Sequence, residues 1–227
     1  MKLPRFSIVS SPVVVASALA AASLSLAAPA RAREVVDPNA AFTDKGRVVL
    51  GGGFNYNHVS GDVEVDGDSV EIDGTTIVGG NLLAGFFVAE QFMLAASVGF
   101  ETRSQESADG DREQSTTVGY LEAVPRYYVT LSAAKAAFFV LEASLGYGSQ
   151  STETVSDGDI TRSSSSGFML GAGAGLAAVV GGGERGAVVD LMLRVRKSFF
   201  SGDDGFDSET AFDLTTIGIG LGISAYF

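Results

Sequence analysis

The 227-residue chain contains no cysteine, no tryptophan, one histidine and five prolines. Without cysteine there is no disulfide, thiolate metal site, cysteine nucleophile or lipid-modified cysteine anchor. Basic residues are scarce too: 15 Lys and Arg stand against 27 Asp and Glu, a net charge of −12. Such a surface repels phosphate backbones, which excludes nucleic acid as an expected partner. Long apolar runs are also missing. The stretch Val13 to Leu26 falls short of the ~20 apolar residues a spanning helix needs, and Gly167 to Gly183 is broken by glycine. What the chain does have is 46% apolar residues and 29 glycines, too much apolar surface for a disordered chain.

Residues 1–32 read as a signal peptide. Lys2 and Arg5 give a basic start, Val13 to Leu26 an apolar run, and Ala30-Arg31-Ala32 a small–x–small cut site, with Ala28-Pro29-Ala30 as a rival. Removing this stretch takes away Lys2, Arg5 and Arg31, leaving 12 basic and 27 acidic residues, a net −15. Residues 33–45 are expected to be a short periplasmic lead. An exported chain without disulfides needs another way to hold itself together, and a closed hydrogen-bonded sheet is one.

From residue 46 onward the hydrophobic pattern has a period of two, in eight segments near 46–58, 75–87, 92–104, 115–129, 136–152, 166–180, 186–200 and 211–227. Each exceeds the ~9–11 residues with which a tilted strand crosses a bilayer. In the last, Ile217, Ile219, Leu221, Ile223, Ala225 and Phe227 share one face, while Thr216, Gly218, Gly220, Gly222, Ser224 and Tyr226 share the other. Alternate side chains of a strand point to opposite sides of the sheet. One greasy face and one small or polar face suit lipid outside and a tight interior within.

Charge placement gives the alternation its sense. On segments four, five and seven, Glu122, Arg126, Glu142, Asp190, Arg194 and Arg196 all occupy one phase. The opposite phase reads Leu121, Ala123, Tyr127; Phe139, Leu141, Ala143, Leu145; and Val189, Leu191, Leu193, Val195. A Lys or Arg facing lipid at the midplane costs ~2–4 kcal/mol, so the charged phase is the inner one. Outward aromatics gather near strand ends, with Phe86, Phe92, Tyr127, Phe139 and Phe227 on one rim and Tyr56, Phe100, Tyr147, Phe168 and Phe199 on the other. Pro125 has no amide to donate to a ladder, and a bulge near a rim is its expected place.

The expected fold is therefore all-β: a closed, antiparallel, up-and-down transmembrane β-barrel of eight strands, or ten if a long loop hides a hairpin. Short connectors near 88–91, 130–135 and 181–185 alternate with longer polar ones near 59–74, 105–114, 153–165 and 201–210. Short turns belong on the periplasmic side and long loops outside. Each long loop carries an Asp-Gly, at Asp66-Gly67, Asp109-Gly110, Asp157-Gly158 and Asp204-Gly205. This dipeptide suits the positive φ angles of tight hairpins. The acidic first loop could instead ligate a divalent cation, but its spacing is not that of an EF-hand, so no metal site is assigned.

At this point the chain resembles the small outer-membrane barrels of the OmpA/OmpX type. The likeness is carried by the signal, the paired long segments, the Leu121–Tyr128 stretch with its Glu, Pro and Arg, and the Ile217–Phe227 ending. The resemblance implies a Gram-negative outer-membrane location among membrane lipid and lipopolysaccharide, as a monomer. It also implies that Tyr226 and Phe227 end a last strand read by the barrel-assembly machinery.

Reactive chemistry has little to stand on. His58 is the one histidine, at the outer end of the first segment, and no G-x-S-x-G, H-E-x-x-H or phosphate loop accompanies it. No catalytic residue and no cofactor is expected. The leading expectation is a non-enzymatic barrel with acidic outer loops, in a structural or surface-interaction role. Its lumen would be filled by the six inward charges, with Arg194 pairing Glu122 and Glu142 at mid-height and Asp190, Arg126 and Arg196 completing the network. A lipid A-modifying enzyme using His58 and a narrow ion channel are the alternatives.

Overall fold

Eight strands follow one another along the chain: β1 (Val48–Val65), β2 (Asp68–Ala89), β3 (Phe92–Glu106), β4 (Arg112–Thr130), β5 (Ala137–Ser156), β6 (Asp159–Gly181), β7 (Gly186–Asp203) and β8 (Glu209–Tyr226). Each pairs antiparallel with its sequence neighbours, and β1 pairs with β8 from Val49↔Tyr226 to Val65↔Thr210, closing the sheet into a barrel. The structure is a computed structural model describing residues 42–65, 68–106, 112–132, 136–156, 159–181, 183–203 and 209–227. The expected signal, the start of the expected lead (33–41) and the four Asp-Gly pairs lie outside the described residues.

All eight expected segments are strands, and the count is eight rather than ten. At the short-turn end the boundaries agree closely, with β3 starting at Phe92 and β7 at Gly186. At the other end the strands run further than hydropathy suggested. The β1–β2 ladder continues to Val65↔Asp68 and the β5–β6 ladder to Ser156↔Asp159. Around Asp66-Gly67 the sequence keeps a short alternation, Val63-Glu64-Val65 and Val70-Glu71-Ile72, that allows such an extension, whereas residues 152–156 and 159–163 are largely polar and carry no such mark. Backbone hydrogen bonding, which is indifferent to side-chain polarity, sustains them.

Pro125 lies opposite Leu94 on β3. No bulge accompanies it, contrary to expectation. On the β5 side, Ala123 opposes Leu145 and Arg126 opposes Glu142; two residues are passed on each strand, so register is kept. The ladder simply lacks the pairs at Val124 and Pro125, as the missing amide requires.

The inward face is layered. At the short-turn end a buried apolar cluster includes Phe42, Phe87, Met93, Tyr128, Phe138, Met192 and Tyr226. Towards the long hairpins a second includes Val59, Ile77, Val118, Tyr120, Met169, Phe200 and Leu214. The buried polar residues between them include Asn55, Ser97, Glu122, Arg126 and Asp190.

Candidate functional site: the charged layer inside the barrel

The inward phase of β4 sends Glu122 and Arg126 into the lumen, β5 sends Glu142, and β7 sends Asp190, Arg194 and Arg196. All six expected charges lie on the inner face, and Glu142, not Arg194, is the centre. Its Oε2 accepts from Arg126 Nε at 2.9 Å and its Oε1 from Arg194 Nε at 2.5 Å. Arg126 also approaches Asp190 at 3.9 Å, and Arg194 donates to Asn55 Oδ1 at 3.0 Å. The Arg126 and Glu142 side chains are both 5% exposed, so this pair is out of bulk water and each charge depends on the other.

The expected Arg194–Glu122 pairing is not formed. Glu122 stands opposite Gly146 on β5, whose cross-strand row continues through Met169 to Ser198 on β7. Glu142 stands opposite Gly173, which stands opposite Arg194. Counting from the turns overlooks the tilt and stagger that closing a barrel imposes. Glu122 instead lies 3.9 Å from Arg196, and its Oε1 has no hydrogen-bond partner among the described residues.

β3 adds two more inward charges, Glu101 in this layer and Arg103 at the cavity next to it. Glu101 on β3 accepts from Arg196 Nη2 at 2.5 Å and from Asn57 Nδ2 at 2.9 Å, while the Arg196 guanidinium lies 5.0 Å from the centre of the Tyr120 ring. The pattern contained this residue: Phe100 points outward, so its neighbour must point in.

Two glycines make room for the carboxylates. A Cβ on Gly173 would sit 2.9 Å from Glu142 Cγ, and one on Gly146 would sit 2.5 Å from Glu122 Cγ. Inward glycines thus let long charged side chains lie across the narrow lumen. Water-accessible cavities of about 40, 30 and 10 Å³ remain along it, each with room for only a few waters.

The outer surface explains the other half of the pattern. Leu121, Leu145, Leu170, Leu193, Ile219 and Leu221 are each at least half exposed, an apolar band that is stable only against lipid. The aromatics expected at the rims point outward, among them Phe86 and Tyr127 at one end and Tyr56, Tyr147 and Phe168 at the other. Within the expected segments two charges break the phase, Lys197 on β7 and Asp213 on β8 opposite Phe199. Lys197 faces outward one row below Phe199, next to Leu170 and Thr215. It pairs with Asp213 and its Nζ lies 5.9 Å from the Phe199 ring centre. A lysine so near the rim can bury its stem and lift its head towards water.

His58 is exposed on the same outward face, opposite Thr76 and Ile217. Its ring lies over Gly74. Among the described residues no group of His, Asp and Glu could hold a metal ion. At the C-terminus, Tyr226 points inward and is 1% exposed, whereas Phe227 points outward. The Phe227 amide donates to Val48 O at 3.0 Å, and the Val48 amide donates to Phe227 O at 3.2 Å.

A closed eight-stranded antiparallel barrel, apolar outside and filled by side chains inside, is the architecture of the small OmpA/OmpX-type outer-membrane barrels. Among solved structures it is similar to Ail, the attachment invasion locus protein of Yersinia pestis, at 16% identity and TM-score 0.46, covering 81% of this chain and 99% of that one. Neisserial surface protein A is similar at 12% identity and TM-score 0.49, covering 79% and 98%. The N-terminal barrel domain of Pseudomonas aeruginosa OprF is similar at 15% identity and TM-score 0.34, covering 77% and 97%. At these identities the likeness is one of fold. No protein-family model matches the chain, and no curated protein sequence does.

Proposed function

We propose that the chain is a non-enzymatic outer-membrane barrel of a Gram-negative envelope, with a structural or surface-interaction role and a lumen closed by paired charges. The observation that carries this reading is Glu142, which joins Arg126 and Arg194 across the lumen. An eight-stranded barrel is only just wide enough for side chains to fill it, and the cavity at the charged layer, about 40 Å³ among the described residues, holds only a few waters. Charges committed to one another in this way make a poor ion path, because each must lose its partner to let an ion pass. Short turns lie at the end of the barrel that would face the periplasm, and the long hairpins, with their acidic residues, would face the medium. Lipid and lipopolysaccharide are the surroundings this surface fits, and Tyr226 with Phe227 would present the last strand to the assembly machinery.

Planar-bilayer recording of the purified protein tests the closed lumen: no stable conductance steps are expected, and large uniform steps would replace this reading with the channel. The enzyme alternative rests on His58. It lies outward near the rim with Thr76 opposite it, and a base would have to draw its partner from that rim. Lipid A from cells carrying His58→Ala should match that of the parent, and an altered acylation pattern would reinstate the enzyme.

A further inference from the structure

Residues 42–46 precede the first strand, and their first two, Phe42 and Thr43, lie buried inside the molecule while Lys45 and Gly46 are exposed. Phe42 is 2% exposed, with its ring centre 5.1 Å from that of Phe87, 5.3 Å from Tyr128, 5.8 Å from Phe138 and 5.2 Å from Tyr226. Three of the four contacts are edge-on, a favoured geometry for aromatic pairs. The socket draws on β2, β4, β5 and β8, so it exists only once the barrel has closed.

Backbone bonds hold the segment in place. Gly46 N donates to Phe87 O at 2.8 Å, and Phe87 N donates to Arg47 O at 2.9 Å. In the β2–β3 turn, Gln91 N donates to Thr43 O at 3.0 Å while Gln91 O accepts from Tyr128 N at 2.8 Å. Gln91 holds φ at 65°, a conformation uncommon outside glycine that persists where surroundings impose it. Arg47 Nη1 reaches across to Glu184 O at 2.5 Å. Gly46, at φ 91°, turns the chain out of the mouth and into β1.

We propose that residues 42–46 are a stopper that seals the short-turn mouth separately from the charged layer, so that the lumen is closed twice. The proposal builds on the closed lumen argued above and adds a second, detachable element to it. Phe42 brings its ring from outside the strands, so it can leave without breaking a ladder pair. Ser224, buried on β8 beside Asp190 and Arg126, would then be open to that mouth. Ser198, buried on β7 at the cavity beyond the charged layer, would stay as protected as before.

The chain has no cysteine, so single Ser224→Cys and Ser198→Cys variants of the full chain can report on each compartment. The folded proteins are reacted in detergent with a small charged thiol reagent. Adding Phe42→Ala should raise the Ser224→Cys rate by about tenfold or more, as protection falls from that of a larger opening to a local one. The Ser198→Cys rate should not change. An unchanged Ser224→Cys rate in folded Phe42→Ala protein overturns the stopper, and so does a matching rise at both positions. If Phe42→Ala does not fold, Gly46→Ala applies the same test by straining the turn while keeping the ring. Conductance of the unaltered protein would overturn both closures, whereas an unchanged Ser224→Cys rate in a protein that does not conduct would overturn the stopper and leave the charged layer standing.

Discussion

Arg126 on β4 and Glu142 on β5 are cross-strand partners in register, and their side chains meet at 2.9 Å inside the wall. The ladder thus supplies the proximity, and little side-chain search is needed to form the pair. Removing Glu142 leaves two guanidinium groups, with the Asp190 carboxylate 3.9 Å from Arg126. Breaking a buried pair from one side typically costs ~3–5 kcal/mol. Glu142→Ala should lower stability by about that much, read from the urea midpoint of unfolding in lipid vesicles. A change below ~0.5 kcal/mol would mean that the pair is solvated and exerts no control.

Gly173 offers a subtler route to the same centre. A methyl group there meets Glu142 Cγ at 2.9 Å and Oε1 at 3.1 Å, whereas one on Gly119 meets nothing within 4 Å. Gly173→Ala should therefore destabilise by ~1–3 kcal/mol, the range for overpacking. Gly119→Ala should be neutral or slightly stabilising. Parallel unfolding curves decide it, and equal effects at the two glycines would show that the lumen has slack.

The outward face should respond to charge by depth. Leu193 lies in the apolar band, two residues along β7 from Val195 and four from Lys197. Leu193→Lys should cost ~2–4 kcal/mol, whereas Thr215→Lys, beside Lys197 at the rim, should cost ~0–1. Similar losses at both positions would argue against a bilayer around this band.

Much of this molecule was legible in its sequence, because lipid and lumen impose opposite demands on alternate residues. Ile217 to Phe227 and Phe92 to Phe100 read correctly residue by residue, and all six inward charges were placed on the right face. Pairing across the lumen was not legible. Which of Glu122 and Glu142 meets Arg194 depends on stagger, and stagger is set by closure of the whole sheet. Glu101 was legible from its neighbour Phe100, whose outward phase sends the next residue inward. Lys197 breaks the outward phase because it stands near the rim, where the cost of a charge falls away. The polar β5–β6 extension and the inserted Phe42 carried no periodic signal, whereas Val63-Glu64-Val65 and Val70-Glu71-Ile72 did mark the β1–β2 extension. The β5–β6 extension depends on backbone bonding, and Phe42 on a socket assembled from four distant strands.

The most direct test of the account is heat-modifiable migration of the protein taken from outer-membrane fractions. A barrel closed by a continuous ladder from β1 to β8 resists detergent until boiled. Unboiled and boiled samples should therefore run as two distinct bands, both recovered with the outer membrane. A single band that never shifts, found in a soluble fraction, would contradict the transmembrane barrel and with it every assignment of inside and outside made above.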